Sequence, residues 1–243
     1  MSRPIYDFIS TFCTAASSDG ANDSQTHGGR DGMKSIIFDC DGTLVDSERL
    51  STEILVTYVA EHGLKISLAE ALTICRGAKM DICVKQLERR LGATLPPTFV
   101  PEYRSRMTAA FQRQLKPIDG ALELVRSLSH KYCVASNGPR EKTELSLSLT
   151  GLLPFFHSAI FSSYEVGAWK PDPRLFLHAA ESMGVNPATC MVVEDSLPGI
   201  EAGIAAGMEV IAFQPHDVDD RIPDNVTVIR HLSELNAHLS ASV

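Results

Sequence analysis

The sequence predicts an α/β fold, a parallel sheet covered by helices on both faces, with a block of helices inserted after the first strand. Two observations predict it. From residue 117 onward, short apolar runs of strand character alternate with amphipathic helical runs, the signature of βα units and a parallel sheet. Between residues 47 and 115 apolar positions recur at three and four residues with no strand signal, the signature of packed helices.

The elements follow in order. Ser35-Ile36-Ile37-Phe38 is β-branched and apolar, a short strand buried on both faces. Leu50, Ile54, Leu55, Tyr58 and Val59 mark a first helix, with Gly63 as its stop. Leu68, Ala71, Leu72 and Cys75 mark a second, and residues 80–91 a third closed by Gly92. The prolines at 96, 97 and 101 place the start of a fourth helix at residue 102, running to 115. Beyond Pro117 the sequence predicts helix 121–128, strand 132–135, helix 141–149, strand 159–161 and helix 173–183. Strand 190–193, helix 200–206 ended by Gly207, and strands 210–213 and 226–229 complete the series. Gly199, Gly203 and Gly207 recur every four residues, which lets a helix approach the sheet closely.

Bulk properties exclude several classes. The chain has 243 residues, 44% hydrophobic and 21% charged, the composition of an ordinary globular protein. A net charge of −8 disfavours nucleic acid or an anionic membrane as partner, and no apolar run approaches a membrane span. The six cysteines form no CxxC pair and no framework spacing. Cys40, Cys133 and Cys190 lie in apolar runs as small hydrophobes, which favours a reducing cytoplasm. Residues 1–32 are polar, Gly-rich and aperiodic, and are expected to be a disordered N-terminal extension, with Met33 as the native start. A monomer is expected, with a dimer as the alternative.

The first strand ends in Asp39-Cys40-Asp41-Gly42. Two carboxylates two positions apart repel, and burial raises their pKa unless a cation or a shared proton compensates. A divalent metal with oxygen ligands satisfies the pair; a solvated turn is the plain alternative. Three further polar groups lie just beyond predicted strands, at the edge where open α/β sheets bind ligands. They are Ser136-Asn137-Gly138, Lys170-Pro171-Asp172-Pro173 and Glu194-Asp195-Ser196. Singly they read as a turn, a solvated lysine and a helix N-cap. Together at one edge they form a site.

With these residues assembled, the chain resembles the haloacid dehalogenase-like phosphatase superfamily. FDCDGTLVDSE matches its first motif, VASNG its second, WKPDP its third and VVEDS its fourth, in order. The resemblance covers residues 34 to about 230. It implies a Rossmann-like parallel-sheet core over 33–46 and 117–243, carrying an α-helical cap over 47–116. The DCDGTLVDSE, SNGP and WKPDP runs, with Trp169 ahead of the lysine, are particularly similar to bacterial 6-phosphogluconate phosphatase-like proteins.

The resemblance also implies roles. Asp39 attacks phosphorus and forms an aspartyl-phosphate. Mg²⁺ is held by a carboxylate oxygen of Asp39, the backbone carbonyl of Asp41 and Asp195. Lys170 is a second cation against the transferring oxygens, and the Ser136 hydroxyl with neighbouring amides, including Asn137, donates hydrogen bonds. Asp41 protonates the leaving oxygen and then deprotonates water, which requires a raised pKa. Glu194 orients Lys170 or a metal-bound water. In the cap, Lys79 with Arg76 pairs with a remote anionic group such as a carboxylate, or the two are exposed helix-end cations acting on the helix dipole. The substrate implied is a small phosphorylated sugar or sugar acid.

Three alternatives stay open at this stage. A β-phosphoglucomutase-like transferase shares the four motifs, but such enzymes carry a cap histidine where this chain has Ser51. A non-catalytic phosphometabolite-binding module would keep the fold without the chemistry. A nicotinamide-dependent reductase lacks support, because no GxGxxG follows the first strand.

Overall fold

A computed structural model describes residues 34–157, 159–216 and 218–240, with the side chain of Ser240 left aside. The expected extension over 1–32 and the Met33 start lie outside these residues. The chain enters through β1 (Ser35–Phe38) and then forms α1 (Glu48–Glu61), α2 (Leu68–Cys75), α3 (Met80–Leu91) and α4 (Phe99–Gln114) without an intervening strand. There follow α5 (Ala121–Ser127), β2 (Tyr132–Ser136), α6 (Arg140–Leu149), α7 (Leu153–Phe156) and β3 (Ile160–Ser162). The series continues with α8 (Ser163–Val166), α9 (Arg174–Ser182), β4 (Cys190–Glu194), α10 (Leu197–Ala205), β5 (Glu209–Phe213), β6 (Thr227–Ile229) and α11 (Leu235–Ser240).

The six strands form one sheet in the order β3-β2-β1-β4-β5-β6, every neighbouring pair parallel. The chain winds outward from β1 to β3, then crosses back to place β4 on the other side of β1. That reversal opens a crevice at the C-terminal ends of β1, β2 and β4, where ligands bind in such sheets. Alternate residues feed the two faces. Ile36, Phe38, Val134 and Val193 pack with α5, α7 and α11; Ile37, Cys133, Ala135 and Val192 pack with α9 and α10.

The inserted helices have their own apolar centre. Leu55, Tyr58, Leu87, Phe99, Met107 and Phe111 are buried together, and Tyr58 stacks on Phe99 with ring centroids 4.8 Å apart. α2 starts at a capping box between Ser67 and Glu70, which satisfies two otherwise orphaned N–H groups. The two chain connections to the sheet run side by side: Asp46 N–H donates to the Lys116 carbonyl at 3.0 Å, and Ile118 N–H to that of Leu44 at 2.9 Å.

Three expectations are corrected here. α4 begins at Phe99, with Pro101 inside its first turn, and α10 begins at Leu197, with Pro198 in its first turn. Proline is tolerated there because those N–H groups have no partner within the helix. Cys75 and Cys83 are joined in a disulfide, Cα–Cα 5.2 Å, because the turn between α2 and α3 folds the end of one helix onto the start of the next. Cysteine usage therefore gives no support to a reducing compartment, although Cys40, Cys133 and Cys190 are free and buried as expected.

The glycines of α10 do two different things. A Cβ on Gly203 would stand 2.7 Å from Val210, so this position lets the helix lie close on the sheet. A Cβ on Gly199 would stand 1.4 Å from Glu194 Oε2; the helix thus leaves room for a buried carboxylate. Gly199→Ala is expected to lose at least about 2 kcal/mol, seen as a lower urea midpoint at unchanged slope. A wild-type midpoint would show that Glu194 moves aside freely.

Candidate active site

β1 delivers Asp39 to the crevice, its N–H donating to the Val193 carbonyl at 2.9 Å. The following turn reverses through Gly42, whose φ of +87° suits glycine. A Cβ there would also stand 2.4 Å from Asp195 Oδ2. The turn aims Asp41 back into the cleft, where its Oδ1 accepts from Ser47 Oγ at 2.6 Å and meets Lys142 Nζ at 2.5 Å.

β2 delivers Ser136. Its Oγ accepts from Gly138 N–H at 2.9 Å, which leaves the hydroxyl proton free to donate. Asn137 lines the cleft, but its side chain is committed elsewhere. Its Oδ1 accepts from Lys170 N–H at 3.0 Å and from Ser163 Oγ at 2.7 Å, while its Nδ2 donates to the Gly77 carbonyl at 3.0 Å. Asn137 therefore ties the lysine loop and the inserted helices to β2; only its backbone is available to a ligand.

Lys170 is buried between two acids, 2.5 Å from Asp39 Oδ1 and 3.7 Å from Glu194 Oε2. Burial opposes its charge, but Asp39 and Glu194 outweigh it and hold the ammonium above its ordinary pKa. β4 ends in Glu194 and Asp195 follows it, both buried. One ligand oxygen from each of Asp39, Glu194 and Asp195 lies within 4.8 Å of the others. Glu194, expected only to orient its neighbours, thus stands in the ligand group, whereas the Asp41 carboxylate does not.

Three sequence expectations change, and one cleft residue is new. Asp41 is held below its usual pKa, not above it: burial pushes it up, but Lys142, followed by the Ser47 hydrogen bond, outweighs burial. Arg76 lies in the cleft but is spent on acids, donating from Nη2 to Asp195 Oδ2 at 2.8 Å and from Nε to Glu48 Oε2 at 3.0 Å. Lys79 does not line the cleft; its Nζ sits 4.1 Å above the Trp169 ring and 3.3 Å from Asp81. Lys142 was not singled out in the sequence, although it lies in the first turn of the helix after SNGP, the turn that faces the same edge.

The donor set suits a divalent cation. Five carboxylates but only four basic side chains line the cleft. Burial, with repulsion from Asp195 and Asp41 against the attraction of Lys170, raises Asp39 to about 7. Burial likewise raises Glu194 and Asp195. A buried acid cluster short of positive charge, all oxygen in its donors, is the environment that Mg²⁺ or Ca²⁺ relieves.

A consequence can be measured on metal-free protein. Asp39 keeps its proton up to about 7 in the fold against 3.8 ordinarily, so between these values the folded state binds the extra proton. Stability is then highest near the lower value and is lost as pH rises through the upper one. In EDTA, Tm is expected to fall from about pH 5 to about pH 8, and the fall to shrink in Asp39→Asn. A flat profile would contradict the raised carboxyl.

Residues 36–213 match the haloacid dehalogenase-like hydrolase family, and the chain belongs to it. It is 37% identical over 206 residues to the 6-phosphogluconate phosphatase of Escherichia coli K12, covering 84% of this chain and 93% of that one. Its fold matches a haloacid dehalogenase-like protein of Agrobacterium tumefaciens C58 with a TM-score of 0.76 at 33% identity, covering 86% of this chain and 99% of that one. A hydrolase of the same family from Deinococcus radiodurans R1, solved with phosphate and sodium bound, matches with a TM-score of 0.70 at 30% identity, covering 87% and 96%.

Proposed function

We propose that this protein is a Mg²⁺-dependent phosphatase of small phosphorylated sugars or sugar acids, 6-phosphogluconate among them, acting through phosphorylated Asp39. The observation that carries the proposal is the position of Asp39: one carboxylate shared between Lys170 at 2.5 Å and the acid cluster with Glu194 and Asp195. The phosphatase relative and the phosphate-bound neighbour support the substrate class. A net charge of −8 and the absence, among the described residues, of a helix able to cross a membrane fit a small-molecule partner better than nucleic acid or lipid.

Mg²⁺, when bound, supplies the positive charge that lets a carboxylate approach an anionic phosphoryl group; Asp39, Asp195 and the backbone of Asp41 would hold it, with Glu194 adjoining. Lys170 fixes Asp39 Oδ1 and adds a cation beside the transferring oxygens. Ser136, its Oγ already accepting from Gly138, donates a hydrogen bond to a phosphoryl oxygen. Asp39 forms the new bond to phosphorus while the bond to the leaving sugar oxygen breaks. Asp41 is the proton carrier for that oxygen and for the water that follows. Because Lys142 holds Asp41 ionised, the acid step requires that pair to be separated, whereas the base step suits it as it stands. Ser51, on the cap wall of the cleft, leaves that wall without the histidine of the mutase pattern and favours water as the final acceptor.

The test is a phosphate-release screen over sugar phosphates and sugar-acid phosphates, with Mg²⁺ or EDTA and with Asp39→Asn as control. Release that needs both Mg²⁺ and Asp39 is expected. An isomeric phosphate from hexose 1-phosphates would favour the mutase, and inactivity of folded protein across the whole panel would overturn the proposal.

A further inference from the structure

Four basic side chains line the cleft: Arg76, Arg104, Lys142 and Lys170. Three are matched by acids at the phosphoryl end: Arg76 by Asp195 and Glu48, Lys142 by Asp41, and Lys170 by Asp39 and Glu194. Arg104 is not. Among the described residues it makes no ion pair; its Nη2 donates to the Tyr164 phenol oxygen at 3.1 Å, and its guanidinium lies 5.9 Å from the centre of that ring. A neutral phenol engages one of five donors and leaves the charge uncompensated.

The surroundings of Arg104 sharpen this. It projects from α4 on the cap side of the cleft, where Leu55, Met80, Tyr103 and Met107 make the wall largely apolar. The Tyr103 hydroxyl is already spent on the Ser51 carbonyl at 3.2 Å. Arg104 is half-buried, and the apolar lining on one side of its guanidinium strengthens its pull on an anion relative to a fully solvated cation. Its planar fork fits a carboxylate through two parallel hydrogen bonds. A single free charge balances one carboxylate, whereas a second phosphate would leave excess negative charge at that end.

We propose that Arg104 is a specificity-determining residue that receives the carboxylate at the far end of a phosphorylated sugar acid, with Tyr164 holding the guanidinium in position. The proposal rests on the phosphatase reading above and moves the distal-anion role from Arg76 and Lys79 to α4. It also gives a cap residue a selective rather than a catalytic task.

The experiment compares kcat/KM for 6-phosphogluconate and glucitol 6-phosphate, which differ only in a terminal carboxylate or hydroxymethyl, in wild type, Arg104→Gln and Arg104→Lys. Fructose 1,6-bisphosphate and fructose 6-phosphate form a second pair, and p-nitrophenyl phosphate reports the phosphoryl chemistry alone. Wild type is expected to prefer the carboxylate, and Arg104→Gln to shrink that preference about 10-fold to 100-fold, mainly through KM. Arg104→Lys is expected to keep part of it, because the charge remains without the fork. A preference unchanged within about twofold in Arg104→Gln would overturn the proposal, as would an equal loss on every substrate, which would mark Arg104 as a mere clasp on Tyr164. A loss confined to the bisphosphate pair would overturn the carboxylate assignment. Wild-type protein active on p-nitrophenyl phosphate but indifferent to the carboxylate would defeat this inference alone; no release from any of the five would defeat the phosphatase reading with it.

Discussion

Asp39→Asn is expected to reduce phosphate release by about 10⁴-fold or more, with the fold intact. The substitution is nearly isosteric, and an amide oxygen can still accept from Lys170 where Asp39 Oδ1 now does, at 2.5 Å. What it removes is the carboxylate proposed as nucleophile, and the other acids of the cleft are already engaged. Asp41 is engaged by Lys142 and Ser47, Glu194 by Lys170 and Ser196, and Asp195 by Arg76. The substitution also takes one negative charge out of a cleft that holds five carboxylates against four cations. Metal-free Asp39→Asn should therefore melt at or above the wild-type temperature near pH 8, so a loss of activity cannot be ascribed to unfolding. Residual activity above about 1% would show that Asp39 is not the attacking group.

Lys170→Met is expected to lower activity by about 10³-fold and, unlike Asp39→Asn, to destabilise the protein. The lysine is buried with Asp39 on one side and Glu194 on the other. Removing it strands two buried carboxylates, and breaking a buried ion pair from one side costs about 3–5 kcal/mol. The loss should be largest near pH 8 and should shrink toward pH 5, where the raised carboxyls of Asp39 and Glu194 take up protons and no longer need a counter-charge. Urea midpoints at the two pH values measure this directly. Equal destabilisation at both would mean that Lys170 acts by packing, through its 4.9 Å approach to the Phe176 ring, and not by charge.

The strands and their edge were legible in the sequence because each short apolar run stops at a chemically distinct group. Phe38 gives way to Asp39, Ala135 to Ser136 and Val193 to Glu194, and parallel pairing brings those stops to one side. Helices were legible by period, but the prolines place the fourth too late, although Pro101 sits in a first turn that needs no N–H donor; the first turn of α10, with Pro198, carries no period to read. The four-residue helices α7 and α8 span barely one turn and carry no period to read.

The partners of the charges were much less legible. Arg76 and Lys79 stand three apart in one basic turn and look equivalent in sequence, yet one grips Asp195 and Glu48 while the other rests on Trp169. Lys142 shares its helix with Arg140, and Arg104 shares its helix with Arg106 and Arg113, and only packing singles out the two that reach the cleft. The depressed Asp41 carboxyl follows from Lys142 and so could not be foreseen without it. The Cys75–Cys83 bond depends in the same way on how the turn between α2 and α3 closes.

The central claim is that Asp39 carries the phosphoryl group between substrate and water. Quenching turnover in acid, reducing with borohydride and mapping peptides by mass spectrometry tests it, since an aspartyl-phosphate is converted to homoserine. Homoserine at position 39, formed only with substrate and absent from Asp39→Asn, is the predicted result. Steady phosphate release with residue 39 recovered solely as unmodified aspartate, or with the modification on another residue, would contradict it.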